Sequence, residues 1–314
     1  MRMRFGLCAL AVLLVGQWIS AQSLSYSRGQ NVSPGFEGWE ENPDGSFNML
    51  FGYMNRNWEE EVDVPVGSDN MLSPGAADQG QPTHFLPRRN RFIFKVRVPK
   101  DFGTKELIWT LTTRGKTERA YATLRTDSKV DDVVRASETG ALGAGTSSPE
   151  VRANKPPLLK FNGDTYRTVR VGQPVALESI VTDDGIPKLR SVGGDRTAQN
   201  VRRAELDGQR VTNPAMVPPR QSTVGKRVGL HLSWFVYRGD GPVTFSEPQI
   251  KVWEDTRTGA NSPWAPLWRP PEVPKDGKWV VQATFSEPGT YVLRGRADDG
   301  ALFTDQDVTI TVTR

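Results

Sequence analysis

Cysteine is almost missing from this chain. Of 314 residues only Cys8 carries a thiol, and it lies inside the first apolar run. The residues beyond it therefore have no disulfide framework, no thiol catalysis and no thiolate zinc site. Histidine is nearly as scarce: the two residues are His84 and His231, the latter on the polar phase of the strand expected at residues 230–237. Neither belongs to a His-x-x-x-His pair, and a Gly-x-Ser-x-Gly motif is also lacking, so the common hydrolase signatures are out. The longest apolar run, Phe5 to Val15, is well short of the roughly 20 residues that a membrane-spanning helix needs. Charge of one sign is lacking too. The net charge is +4, and removing Arg2 and Arg4 leaves +2, which argues against a nucleic-acid binder.

What is present begins with an address. Arg2 and Arg4, the apolar run and Ile19-Ser20-Ala21 predict a signal peptide over residues 1–21, cleaved before Gln22. The chain is then exported: periplasmic, cell-surface or extracellular. Export without disulfides, together with a short signal, favours a bacterial envelope. With 30 Gly, 23 Pro and few helix-favouring runs, the composition is that of an all-β chain rich in turns, long enough for two cores. The expected fold class is all-β, two β-sandwich domains joined by a flexible linker.

The first domain is placed at residues 22–128. Residues 22–45 read as irregular, with Phe36 and Trp39 as anchors. Phe47, Met49, Phe51 and Tyr53 then alternate with Asn48, Leu50 and Gly52 behind the turn signal Asn42-Pro43-Asp44-Gly45. Val62 and Val64 mark a second strand. Phe92, Phe94, Val96 and Val98 face inward against Arg91, Ile93, Lys95 and Arg97. Leu107, Trp109 and Leu111 form another inward set, and Gly115-Lys116 turns into a return strand with Ala120, Ala122 and Leu124. His84 with Arg88 and Arg89 is the polar constellation of this half to test. In residues 129–157 large apolar side chains are scarce and periodicity is absent, so the stretch reads as the linker, with a short helix expected around Asp131 to Ser137.

The second domain, 158–314, is most legible at its end. Tyr291, Leu293, Gly295 and Ala297 alternate with Val292, Arg294 and Arg296. Val308, Ile310 and Val312 alternate with Thr309, Thr311 and Thr313. Each run has one apolar and one wet face. Pro288-Gly289-Thr290-Tyr291, the Asp298-Asp299 turn and the Thr/Val-rich last strand resemble the end of a PKD-type, immunoglobulin-like domain. The resemblance implies a β-sandwich, with Tyr166–Val171 as strand A, Val175–Val181 as B, Leu230–Tyr237 as C, Lys278–Phe285 as E, and the final stretch as F and G. Trp234 would then be the buried tryptophan of strand C and Tyr291 the corner tyrosine, while Val243–Phe245 continues as the second arm of a C–C′ hairpin. Gln81-Pro82-Thr83-His84-Phe85 and Val98-Pro99-Lys100-Asp101-Phe102-Gly103 look like the wording of uncharacterised bacterial exported proteins, which implies no function.

Two connections exceed ordinary sandwich loops: a basic insertion at 185–228 and a Trp/Pro-rich one at 246–277. The assigned topology brings both to one pole, with the Asp298-Asp299 turn and the entry of the first domain. Asp183, Asp184, Asp298, Asp299 and Asp305 converge there as candidate Ca²⁺ ligands, because Ca²⁺ takes several oxygen ligands. The other reading is that they start turns and pair with arginines, since their spacing matches no defined Ca²⁺ loop. Trp253, Trp264, Trp268, Arg257 and Arg269, with Arg202 and Arg203, form a candidate surface for a protein or for sugar rings. Alternatively, the tryptophans make a small core of their own. Anion binding by the basic insertion is a third reading, against a solvated loop.

The expected function is that of an exported, non-catalytic binding or structural protein of the bacterial envelope, with a protein or polysaccharide partner. No nucleic acid and no cofactor other than Ca²⁺ is expected. The alternative is a hydrolytic or enzyme-accessory protein acting on envelope carbohydrate, because paired carboxylates need no fixed sequence spacing.

Overall fold

Alternating apolar residues fold the chain into two sheet-rich regions in the computed structural model, which describes residues 26–139, 149–188, 229–253 and 271–314. The first region holds β1 (Val32–Glu41), β2 (Phe47–Asn55), β3 (Val62–Asp63), β4 (Asn70–Ser73), β5 (His84–Phe85), β6 (Arg88–Val98), β7 (Leu107–Thr113) and β8 (Lys116–Ala122). Two sheets, β1-β2-β6 and β4-β7-β8, lie with the short pair β3-β5 around one core. At its centre Phe51 stacks on Phe94 with centroids 5.1 Å apart, and Trp109 meets Phe94 edge-on at 4.9 Å. The Trp109 indole N–H donates to Asn70 Oδ1 at 2.9 Å, so this fully buried ring leaves no orphan donor.

Two expectations change here. Residues 32–41 are a strand, with a shift of register between Phe36 and Gly38, hidden in the sequence by Pro34, Gly35 and Gly38, and Trp39 is buried with its N–H on Arg125 O at 2.7 Å. A β-bulge also interrupts β6: Phe51 pairs with Phe94 but Tyr53 pairs with Asn90, so Arg91, Phe92 and Ile93 stand opposite Gly52 alone. The extra residues invert the alternation. Ile93 enters the main core, whereas Phe92, at φ 52°, joins Leu50 and Val130 on the opposite face of the sheet.

The stretch read as a linker contains helices α1 (Asp132–Thr139) and α2 (Pro149–Ala153). Just before α1, the Val130 N–H donates to Trp39 O at 2.9 Å. Ala136 of α1 packs against Ala301 and Leu302.

The second region holds β9 (Leu158–Phe161), β10 (Tyr166–Arg170), β11 (Val175–Thr182), β12 (His231–Arg238), β13 (Val243–Phe245), β14 (Lys278–Phe285), β15 (Gly289–Asp298) and β16 (Phe303–Thr313). Its sheets are ordered β10-β16-β15-β12 and β13-β14-β11-β9 and share one core around Trp234, Tyr291, Leu177 and Phe285. The pairing expected for the last two strands is observed, with Leu293 opposite Val308. β13 differs from its expected place, since it pairs with β14 in the other sheet. The physical reason is the close wrap of residues 239–241 around Tyr291. A Cβ on Gly239 or Gly241 would lie 2.7 or 2.6 Å from that side chain, and both glycines hold positive φ. The Tyr291 hydroxyl donates to Glu287 O at 3.1 Å and lies 3.2 Å from Asp240 O, which makes it a corner tyrosine in the geometric sense.

Gly52 tests the bulge. A Cβ there would meet Asn90 O at 2.5 Å and Glu37 Oε1 at 2.2 Å. Gly52→Ala should destabilise by about 1–3 kcal/mol, the usual cost of overpacking. Urea denaturation should show a lower midpoint at unchanged slope; an unchanged midpoint would mean the bulge yields freely.

Candidate functional site

The outward face of β12, β15 and β16 alternates with the core face and was expected to be wet. Instead it lies against the first region. Arg294 and Arg296 are 8% and 3% exposed. Each stands directly across the antiparallel ladder from an aspartate: Arg294 opposite Asp307, Arg296 opposite Asp305. Arg294 forks onto Asp307 through Nε at 2.6 Å and Nη2 at 2.7 Å, and Arg296 forks onto Asp305 through Nε and Nη2, each at 2.8 Å. Aromatic faces close the layer, with Arg294 at 3.5 Å over Tyr237 and Arg296 at 3.6 Å over Phe303.

Arg294 uses its remaining nitrogen, Nη1, to donate to Ile93 O in the first region. That carbonyl belongs to the bulge, where the β6 ladder has been interrupted. Burial works against the Arg294 charge, but Tyr237, Asp307 and Asp305 outweigh it, so its pKa is driven upward. The contact continues along β12. The Tyr237 hydroxyl donates to Gly80 O, and the Thr83 N–H to Tyr237 O at 3.2 Å. Arg238 forks onto Asp78 at 2.7 and 2.9 Å. Tyr237 is counted among the side chains of the first region's core, with Val292 packed beside it. The wet-face assignment of Arg294 and Arg296 is therefore corrected, as is that of His231, which is 6% exposed with Nδ1 2.9 Å from Gly229 O.

The five aspartates proposed for Ca²⁺ do not gather around one point: among the described residues no three Asp, Glu, His or Cys side chains form a metal-holding group. Asp305 is taken by Arg296. Asp298 accepts the Gly300 N–H at 2.6 Å, as a turn former does. Asp184 accepts from Ile186 N at 2.9 Å and Lys155 N at 3.2 Å. Asp183 accepts from Gly185 N at 2.9 Å, and burial with the neighbouring Asp184 charge raises its pKa. Asp299 is 2% exposed and accepts from Ala301 N, Leu302 N and Asn154 Nδ2 at 2.6, 2.8 and 3.0 Å. Burial pushes it up to about 7, against those donors. Asp184 and Asp299 do meet the chain that arrives from the first region, at Lys155 and Asn154.

Of the aromatic and basic candidates, Trp253 is described: it is half-buried, with Lys251 Nζ 5.8 Å from its ring centre. Trp264, Trp268, Arg257, Arg269, Arg202 and Arg203 lie outside the described residues.

His84 is held by different partners from those expected. Arg88 lies 4.0 Å over the Trp58 ring, and Arg89 pairs with Glu37 at 2.6 Å. The pairing of β3 with β5 sets His84 beside Asp63, so that Nδ1 faces Asp63 Oδ1 at 2.6 Å and Nε2 faces Glu61 Oε2 at 2.9 Å. Burial lowers the imidazole pKa, but the two carboxylates raise it further, to about 9. Both nitrogens are occupied as donors, so this is an imidazolium clamp with no lone pair left for a base or a metal.

No family model and no curated relative matches the chain. Among solved structures it is similar to the D00-D0 domain of intimin (9% identity, 90% of this chain and 100% of that one, TM-score 0.23). It is also similar to the adhesin InvE of Yersinia pseudotuberculosis (7% identity, 89% and 58%, TM-score 0.21) and to titin domains Z1Z2 in complex with telethonin (8% identity, 91% and 98%, TM-score 0.22). At these TM-scores the similarities carry no argument, and the fold stands on its own strand order.

Two measurements probe this region. Arg294→Ala strips the partner from Asp307 and from the Ile93 carbonyl. It should destabilise by about 3 kcal/mol, near the low end for a broken buried pair because Asp307 keeps contact with water. In a double-mutant cycle with Asp307→Ala, the double variant should lose less than the sum of the two; additivity would mean that the pair is not coupled. For His84, the folded pKa of about 9 lies above the ordinary 6.5. Its contribution is therefore full below pH 6.5 and is lost as pH rises through about 9. Denaturation midpoints should fall across that window in the native chain, and less steeply in His84→Gln.

Proposed function

We propose that this is an exported, non-catalytic binding or structural protein of the bacterial envelope, built from two immunoglobulin-like β-sandwich units and engaging a protein partner. The observation that carries the reading is where the chain spends its strongest polar chemistry. Arg294 and Arg238 bond the second region to the first, while Asp307 and the Arg296–Asp305 pair complete the ion-pair layer behind Arg294. The imidazolium of His84 is fixed as a structural cation.

With the β12-β15-β16 face covered, the sheet β13-β14-β11-β9 turns its outer face to solvent. Leu158, Ile180 and Val280 on it are 73%, 42% and 50% exposed. The register places Ile180 between Lys160 and Lys278, and Val280 beside Glu178. Apolar side chains bordered by charges suit a protein partner better than a sugar, which stacks on aromatic rings.

The test uses the full chain immobilised against purified envelope protein fractions and, separately, against isolated cell-wall polysaccharide. Retention of an envelope protein that is lost in Ile180→Glu/Val280→Glu, at unchanged circular dichroism, is the expected result. Retention of polysaccharide alone would reject the protein partner. Release of oligosaccharide from it would reject the non-catalytic reading.

A further inference from the structure

Asn162 is the one asparagine of the chain that is followed by glycine. It leaves β9 at an exposed turn in which Gly163 holds φ +113°. A Cβ at Gly163 would have only Arg167 Nη2 within reach, at 3.9 Å, so the turn is open on that side. That N–H donates to no acceptor among the described residues. The Asn162 side chain is held from one side: Nδ2 donates to Glu178 Oε1, while its backbone N–H donates to Glu178 O at 2.8 Å. Lys278 Nζ lies 2.7 Å from the other Glu178 oxygen, and Lys278 with Asn162 lowers the Glu178 pKa and keeps it ionised.

We propose that Asn162 is a site of spontaneous amide-to-acid modification whose rate is set by Glu178. The Gly163 amide gives up its proton to hydroxide, and its nitrogen attacks Asn162 Cγ. The new C–N bond forms as the Cγ–Nδ2 bond breaks, and the side-chain nitrogen leaves as ammonia after taking a proton from water. One water then opens the resulting cyclic imide at either carbonyl, which gives aspartate or isoaspartate with one more negative charge. Water is the only co-reactant, and no oxidation state changes. Attack requires Cγ to swing toward the Gly163 nitrogen, and the Nδ2–Glu178 hydrogen bond opposes that swing.

The product has a structural consequence. The donor to Glu178 is gone and a carboxylate stands in its place, so like charges face each other at the end of the β9–β11 pair. β9 is an edge strand joined to β11 over only Leu158–Phe161. It carries Phe161 edge-on against the buried Trp234, at 6.0 Å between centroids. Modification therefore frays the strand through which the second region receives the chain from α2.

The full-length protein, kept in mildly alkaline buffer over days and mapped by mass spectrometry with separation of aspartate from isoaspartate, tests this. Position 162 should convert before any other described asparagine, several-fold faster in Glu178→Ala, and not at all in Asn162→Gln. Asn162→Asp should reproduce the lower unfolding midpoint of the aged chain. Earlier conversion of another described asparagine, or a Glu178→Ala rate no higher than the native one, would overturn the proposal. If Glu178→Ala fails to fold, Glu178→Gln serves in its place, with a smaller acceleration expected because a neutral acceptor holds the amide less strongly.

Discussion

A guanidinium removed from water must find its acceptors in one place, and the joint between the two halves of this protein is built around that demand. Two arginines one residue apart on β15 meet two aspartates one residue apart on β16, in direct register. The antiparallel ladder itself guarantees the match, because residues on one face recur every second position on both strands. Charge neutralisation is thus complete within a single hairpin. Phe303 of the same hairpin covers the Arg296 guanidinium, but the hairpin cannot supply an acceptor for the last nitrogen of Arg294 or a cover for its guanidinium plane. The first region supplies the acceptor as Ile93 O, and Tyr237 of β12 supplies the cover.

The bulge in β6 follows from the same constraint. Three residues opposite Gly52 break the ladder and put Ile93 O within reach. They also send Phe92 to the outer face, beside Leu50 and Val130, where Phe303 of β16 packs. One local insertion thereby provides both the polar and the apolar part of the contact. Gly52 is the residue that lets Asn90 O and Glu37 approach the strand so closely.

Much of the fold was legible from period-2 alternation. Met49, Phe51, Val96, Trp109, Leu111, Trp234, Leu293 and Ile310 are all buried on the faces assigned to them. Alternation says which residues share a face, however, not what covers it. Arg294, Arg296 and His231 read as wet because a charged or polar side chain in a half-apolar strand is usually solvated. The signal that could have identified the joint was the complementary spacing of Arg294-Gly295-Arg296 and Asp305-Gln306-Asp307 across a short turn. Instead, Asp305 was grouped with the other turn aspartates by type. β1 was hidden because Pro34, Gly35 and Gly38 read as loop, although proline is tolerated on an edge strand and β1 is one. The partners of His84 escaped because Glu61 and Asp63 come to it through the β3–β5 pairing, which sequence spacing does not encode.

The choice of charge at the joint has a further consequence. An apolar joint of the same size would be at least as stable, since desolvating ion pairs consumes most of what their attraction gains. It would also be indifferent to small slides of one region over the other. The Arg294 contact is not: a shift of one residue along β6 takes the Ile93 carbonyl away from Nη1 and leaves a buried N–H without its acceptor. The Arg238–Asp78 fork and the Tyr237–Gly80 hydrogen bond impose the same condition at a second place along β12. Two separated polar anchors fix both the position and the rotation of the contact, which a single anchor would not. In a chain without disulfides beyond its first residues, the relative placement of the two regions is set by directional bonds, with the apolar contacts of Tyr237, Val292 and Phe303 supplying the adhesion between them.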